Sequence, residues 1–70
     1  MEPVERFAAN VRKARLERGL SQEALGDSAG LHRTEISLLE RAVREPRLST
    51  IVRLARALKM RSADLLEGVR

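Results

Sequence analysis

The chain of 70 residues predicts an all-α fold, a compact bundle of five short helices around an aliphatic core. Three observations carry this. The apolar residues are mostly leucine and alanine, which favour helix over strand. They recur three and four positions apart and so share one helical face, as Phe7, Val11 and Ala14 do. Gly19, Gly30 and Gly68 each stand just past such a stripe, where a helix stops. Phe7 is the one aromatic residue. This length allows one domain, 1–70, whose modest core calls for regular helix packing or a partner.

The first helix is expected from about Val4 to Arg18, with Pro3 in its first turn, where a missing amide costs nothing. Gly19 ends it, and Leu20 packs back. Arg15 lies beside its inward face, an unusual place for a charge. The second helix is expected from about Ser21 to Ala29. Ser21 can accept a free amide of its first turn, Leu25 and Ala29 share a face, and Gly30 stops it. Gly26 lies inside this helix. It either weakens the helix by about 1 kcal/mol or lets a neighbouring segment come closer. The third helix is expected from about His32 to Arg41, with Leu31, Ile36 and Leu39 as its buried stripe. Arg33, Thr34, Ser37 and Leu38 remain on its outer face. After the loop Ala42 to Arg47, a fourth helix is expected from about Ser49 to Lys59, with Ser49 as its cap. Leu48, Ile51, Leu54, Ala55 and Leu58 mark its buried side, and Arg53 and Arg56 lie opposite in solvent. A last short helix spans about Ser62 to Leu66 and ends at Gly68.

Composition narrows the function. With no cysteine there is no disulfide and no thiolate metal site, which fits a reducing cytosol. No apolar run approaches the ~20 residues that span a bilayer, and MEPVERF lacks a signal-peptide core. The expectation is a soluble, cytoplasmic protein. Asp27 and Asp64 sit in no acid cluster, His32 is the lone histidine, and no glycine loop cradles phosphate. An enzyme, a metal and a cofactor are therefore not expected. The net charge of +4 is uneven: residues 1–40 carry six Lys/Arg against seven Asp/Glu, and residues 41–70 carry eight against three. A local arginine excess suits a polyanion, though two lysines against twelve arginines also fit an arginine-rich genome.

From Ser21 to Arg41 the two helices joined at Gly30 make a helix-turn-helix, whose second helix can lie in the DNA major groove. The residues SQEALGDSAGLHRTEISLLER resemble the helix-turn-helix of the Cro and phage-repressor type of bacterial regulators (lambda-repressor-like, XRE family). The likeness continues through EPRLSTIVRLARALKM and covers about residues 7 to 66. It implies that Arg15 pairs with Glu40 in a buried or half-buried contact, and that Gln22 rests on a DNA phosphate. It also implies that the loop holding Arg41, Arg44 and Arg47 runs along the DNA backbone. Ala42 and Lys59 stand where the family usually has glycine. At Ala42 an altered turn is expected, since a left-handed alanine costs about 1–2 kcal/mol. Glu35 and Glu45 depart from the family's usual aromatic and asparagine.

First-turn residues of a recognition helix reach base edges. Arg33 can bond O6 and N7 of guanine, and Thr34 or Leu38 can meet a thymine methyl, with Ser37 beside them. A phosphate contact or plain solvation is the other reading of Arg33. His32 either touches phosphate or is a surface histidine. Glu35 must point away, bond a cytosine amino group or pair with an arginine. Met60, Leu65, Leu66 and Val69 either close the core or, as the resemblance implies, form a homodimer interface over about residues 60–70. The expected function is sequence-specific binding of double-stranded DNA at a palindromic operator, as a homodimer that regulates transcription. Glu23 and Asp27 offer an acidic patch to RNA polymerase. Small regulators of this kind are similar to controller proteins of restriction–modification systems. The alternative is a protein-interaction module or antitoxin on the same fold.

Overall fold

The computed structural model describes every residue from Met1 to Arg70. It contains α1 (Pro3–Glu17), α2 (Gln22–Ala29), α3 (Arg33–Glu40), α4 (Leu48–Ala57) and α5 (Ser62–Leu65). None is long and apolar enough to cross a membrane.

The helix starts follow from local chemistry. At α1, Glu2 N–H donates to Glu5 Oε1 at 2.9 Å, and Pro3 fills the first helical position. At α2, Ser21 Oγ accepts Ala24 N–H at 2.9 Å, so Ser21 stands just outside the helix as its cap. At α5, Asp64 Oδ2 accepts Arg61 N–H at 3.1 Å. These bonds to the Arg61 backbone and side chain hold the exposed Asp64 carboxyl below the usual carboxylate range.

Phe7, Val11 and Ala14 of α1 meet Leu25 and Ala29 of α2, Ile36 and Leu39 of α3, Leu54, Ala55 and Leu58, and Leu65 of α5 in one core. Gly26 is buried, and Leu31 N–H donates to its carbonyl at 2.8 Å. A Cβ there would lie 2.6 Å from the Leu31 carbonyl oxygen. Of the two readings of Gly26, close approach is the one observed: without a side chain, the last turn of α2 folds directly onto the entry to α3.

Three helices end alike. Gly19 donates to Leu16 O and Leu20 to Arg15 O; Ala42 to Leu39 O and Val43 to Leu38 O; Lys59 to Arg56 O and Met60 to Ala55 O. This Schellman pattern uses a left-handed residue to satisfy two end carbonyls. Gly19 takes φ +66°, but Ala42 takes +59° and Lys59 +56°. The altered turn expected at Ala42 is therefore not what forms. Two carbonyl hydrogen bonds and the path into the next element outweigh the strain of a side chain at that φ. The Arg18 side chain joins two of the helix ends, donating from Nε to Leu58 O and from Nη1 to Ala14 O.

Three other expectations need correction. Ser49 does not cap α4: the helix begins at Leu48, Arg47 is its N-cap, and no side chain bonds the free amides. Leu48 is 76 % exposed rather than buried. It lies on the apolar stripe but in the first turn, where Thr50 takes the buried place instead. Leu65 is fully buried. A single turn of helix can turn only one of two adjacent leucines inward, so Leu65 belongs to the core and only Leu66 remains for an outer surface.

Replacing Ala42 by glycine removes the left-handed strain and keeps both closing bonds. Ala42→Gly should stabilise the protein by about 1 kcal/mol, net of the entropy glycine adds to the unfolded chain. In a domain of this size that raises Tm by about 4–8 °C. Thermal unfolding followed by circular dichroism measures it; an unchanged or lower Tm counts against the strain.

Candidate DNA-binding surface

The surface is built on one buried ion pair. Arg15 on α1 is 7 % exposed. Its Nε donates to Glu40 Oε2 at 2.7 Å and its Nη2 to Glu40 Oε1 at 3.0 Å, a two-point grip that only a planar guanidinium makes. Nη1 donates to Leu20 O at 2.9 Å, which anchors the segment entering α2. The hydrogen bonds that Arg15 donates to Glu40 push the guanidinium above its ordinary pKa, although burial acts the other way. Gln22 Nε2 donates to Glu40 Oε1 at 3.2 Å. One carboxylate on α3 therefore ties α1 and the first residue of α2 to α3.

That bond gives Gln22 an internal partner that its sequence position did not reveal. Its amide nitrogen has two hydrogens, and one remains for an outside acceptor. Gln22, Ser21, Glu23, Arg15 and Arg33 line one hollow at the amide-rich start of α2. Gln22 and Arg33, far apart in sequence, thus face the same space.

His32 is the N-cap of α3, with Nδ1 accepting Thr34 N–H at 3.1 Å. An accepting ring nitrogen carries no proton, so the exposed Nε2 keeps the N–H. Histidine rarely caps helices, so sequence reasoning missed this role. Arg33 and Thr34 follow, both exposed, with Ser37 and Leu38 half-buried one turn on, while Ile36 and Leu39 fix the opposite face in the core. Arg41 is exposed at the far end of α3, about 12 Å from Arg33 along the axis.

Beyond α3 the chain brings Arg44, Arg47 and Arg53 into one polar cleft with Glu35, Glu45, Ser49 and Thr50. Arg53, expected merely in solvent, shares this cleft. The ion pairs of the structure are Arg15–Glu40 and Arg61–Asp64, so Glu35 pairs with none of the arginines around it. No group of His, Asp and Glu side chains comes together that could hold a metal ion.

A family described as helix-turn-helix matches residues 11–66. The chain belongs to the helix-turn-helix family. It is a DNA-binding transcriptional regulator of the XRE type and not an enzyme. Control protein C.SmaI of Serratia marcescens is 46 % identical over 66 residues, covering 94 % of this chain and 79 % of that protein. The restriction-modification controller protein C.AhdI from Aeromonas hydrophila has the same fold. Its TM-score is 0.87 at 35 % identity, over 89 % of this chain and 94 % of that one. The DNA-binding domain of the P22 C2 repressor matches with a TM-score of 0.84 at 31 % identity, over 89 % of this chain and 82 % of that one. In this helix-turn-helix, α2 and α3 are the two motif helices and Gly30, at φ +70°, is the turn.

Within the family fold, the Glu40 network sets how the motif sits on α1. Glu40→Ala leaves the Arg15 guanidinium buried without its counter-charge. The expected loss is about 3–5 kcal/mol, against under about 1 for a surface pair, and Tm should fall by at least about 12 °C. Thermal and urea unfolding of the variant test this, and a shift near zero would contradict a buried role for the pair.

Proposed function

We propose that the protein binds a two-fold symmetric DNA operator as a homodimer in the cytoplasm, with α3 in the major groove. The observation that carries this is the first turn of α3. Arg33 and Thr34 stand exposed on a helix whose other face is locked by Ile36 and Leu39, and arginines follow it at 41, 44 and 47. Arg33, Thr34, Ser37 and Leu38 are assigned to base edges. Gln22, His32, Arg41, Arg44 and Arg47 are assigned to phosphates. The last hydrogen on Gln22 Nε2 and the exposed Nε2–H of His32 support those two assignments. Glu23 and Asp27, both exposed on α2, are the acids that would meet RNA polymerase if the protein activates transcription.

The two kinds of contact separate by experiment, because Arg33 and Arg44 lose the same charge when replaced. Arg33→Ala should cost about 1–3 kcal/mol on the best site and relax preference at one or two base pairs, guanines first. Arg44→Ala should weaken all duplexes about equally and reduce the salt slope by roughly one ion. Binding curves on matched and mismatched duplexes at several salt concentrations give both quantities. An unchanged ranking of duplexes with Arg33→Ala would make Arg33 a phosphate anchor. No salt dependence at all would favour a protein partner over DNA.

The assembly face is assigned to Met60, Leu66 and Val69, without the buried Leu65. Leu66 and Val69 line an apolar groove with Val4, Phe7, Pro46 and Ile51, and the exposed Leu48 projects from the adjoining start of α4. A two-fold pair covers such a face on both copies at once. The protein should dimerise at micromolar concentration in sedimentation and bind half-sites about 34–36 Å apart. A monomer both free and on DNA would overturn the assignment.

A further inference from the structure

Asn10 takes no part in the DNA contacts proposed above, yet it makes two side-chain bonds across the longest sequence separations in the molecule. Its Nδ2 donates to Leu65 O at 2.8 Å and to Glu67 O at 2.8 Å. Leu65 is the last residue of α5, a helix of four residues, and Glu67 lies in the turn that follows it. A single turn does not persist alone. Leu66 N–H and Glu67 N–H close on the carbonyls of Ser62, Ala63 and Asp64, and the carbonyls of Leu65 and Glu67 are taken by Asn10. What holds this segment is the burial of Leu65 on one side and the Asn10 clasp on the other. The chain then turns at Gly68, φ +76°, where a Cβ would meet the Arg6 side chain at 3.3 Å. Leu66 and Val69 flank this clasped turn and form one wall of the apolar groove.

Two donors on one nitrogen, each bonded to a different carbonyl, fix a segment in two directions. No other short side chain does this: aspartate has the same shape but only acceptors when ionised, and serine has one donor. We infer that Asn10 is a positioning residue for assembly, setting the placement of Leu66 and Val69 and through it the affinity of one copy for another. The inference rests on the assembly face proposed above. It assigns α1 a task besides carrying Arg15: its middle orients the outer face of α5, while its C-terminal half orients the helix-turn-helix.

The test uses the full chain with Asn10→Asp and Asn10→Ala. Two lost bonds should raise the dimer dissociation constant by about tenfold or more in sedimentation equilibrium. Backbone amide exchange should quicken at residues 66–69 and stay unchanged in α2 and α3. Ala29→Gly, a core change away from the groove, supplies the control for general destabilisation and should leave the dimer constant within about threefold of the parent. If the Asn10 variants shift the dimer constant no more than this control does at equal loss of Tm, Asn10 is a structural residue only and the inference fails. Leu66→Ser distinguishes the two levels. If it weakens the dimer while the Asn10 variants do not, the face stands and the clasp is dispensable. If it leaves the dimer intact, the face itself is wrong and the inference falls with it.

Discussion

The helix-turn-helix of this domain is held on α1 by one carboxylate. Glu40 lies near the end of α3 with a side chain only 2 % exposed and receives three hydrogen bonds from two other elements. A buried ion pair adds little net stability compared with apolar side chains of the same volume, because both charges must lose water. What it adds is direction. An aliphatic core tolerates sliding and repacking at modest cost, whereas a guanidinium forked on a carboxylate has one geometry. In a core mostly of leucine and alanine, this pair adds a directional contact between α3 and α1. Gln22 extends the same constraint to the start of α2, so the three first-turn groups that face outward, Gln22, Arg33 and Thr34, are held by a network whose far end is buried beside Leu20.

The helix ends do the complementary work of bringing the rest of the chain round. Three Schellman closures turn the chain sharply at the ends of α1, α3 and α4, which helps five helices fit in 70 residues. Two of them place a side chain at positive φ. The strain there is offset by closing four end carbonyls of α3 and α4 that would otherwise lack a backbone partner. Because Ala42 also starts the loop to Arg47, its conformation decides where Arg44 stands relative to α3. The cleft holding Arg44, Arg47 and Arg53 is thus a product of backbone handedness at one alanine, together with a helix that begins at Leu48 without a side-chain cap.

Much of this was legible in the residues, and the reasons for the rest are physical. Ser21, Gly30 and the apolar stripes announce their helices because capping and periodicity are local. The Arg15–Glu40 pair came from family likeness; spacing alone said only that a charge lies beside an apolar stripe. Gly26 could be read either way until the distance to the Leu31 carbonyl settled it. The left-handed Ala42 was hidden because glycine is the usual mark of that turn. A subtler mark, the apolar residue that follows each turn (Leu20, Val43, Met60), was present at all three. Leu48 was misread because a periodic stripe does not announce where a helix outruns its core. Leu65 and Leu66 were grouped because a one-turn helix has no period to separate them. The bonds of Asn10 to residues 65 and 67, and of Gln22 to Glu40, join residues distant in sequence, and neither side chain signals its partner.

The shortness of α3 makes assembly and recognition one problem. Eight residues expose at most two turns, and four of their side chains, at 33, 34, 37 and 38, are the ones proposed above to read bases. Four side chains distinguish a few base pairs, and each correct contact is worth about 1–3 kcal/mol. Four such contacts reach the margin of about 4–10 kcal/mol by which specific binding exceeds non-specific binding only when most of them are close to ideal. The arginines proposed to meet phosphate, at 41, 44 and 47, would strengthen correct and incorrect sites together. In the proposed homodimer the reading is doubled, with two copies of α3 held at a fixed separation, which widens that margin. In the proposed dimer, a face that tilts by a few degrees would move the second helix out of register with its half-site, so the placement of α5 against α1 would bear on base selection alongside the residues of α3.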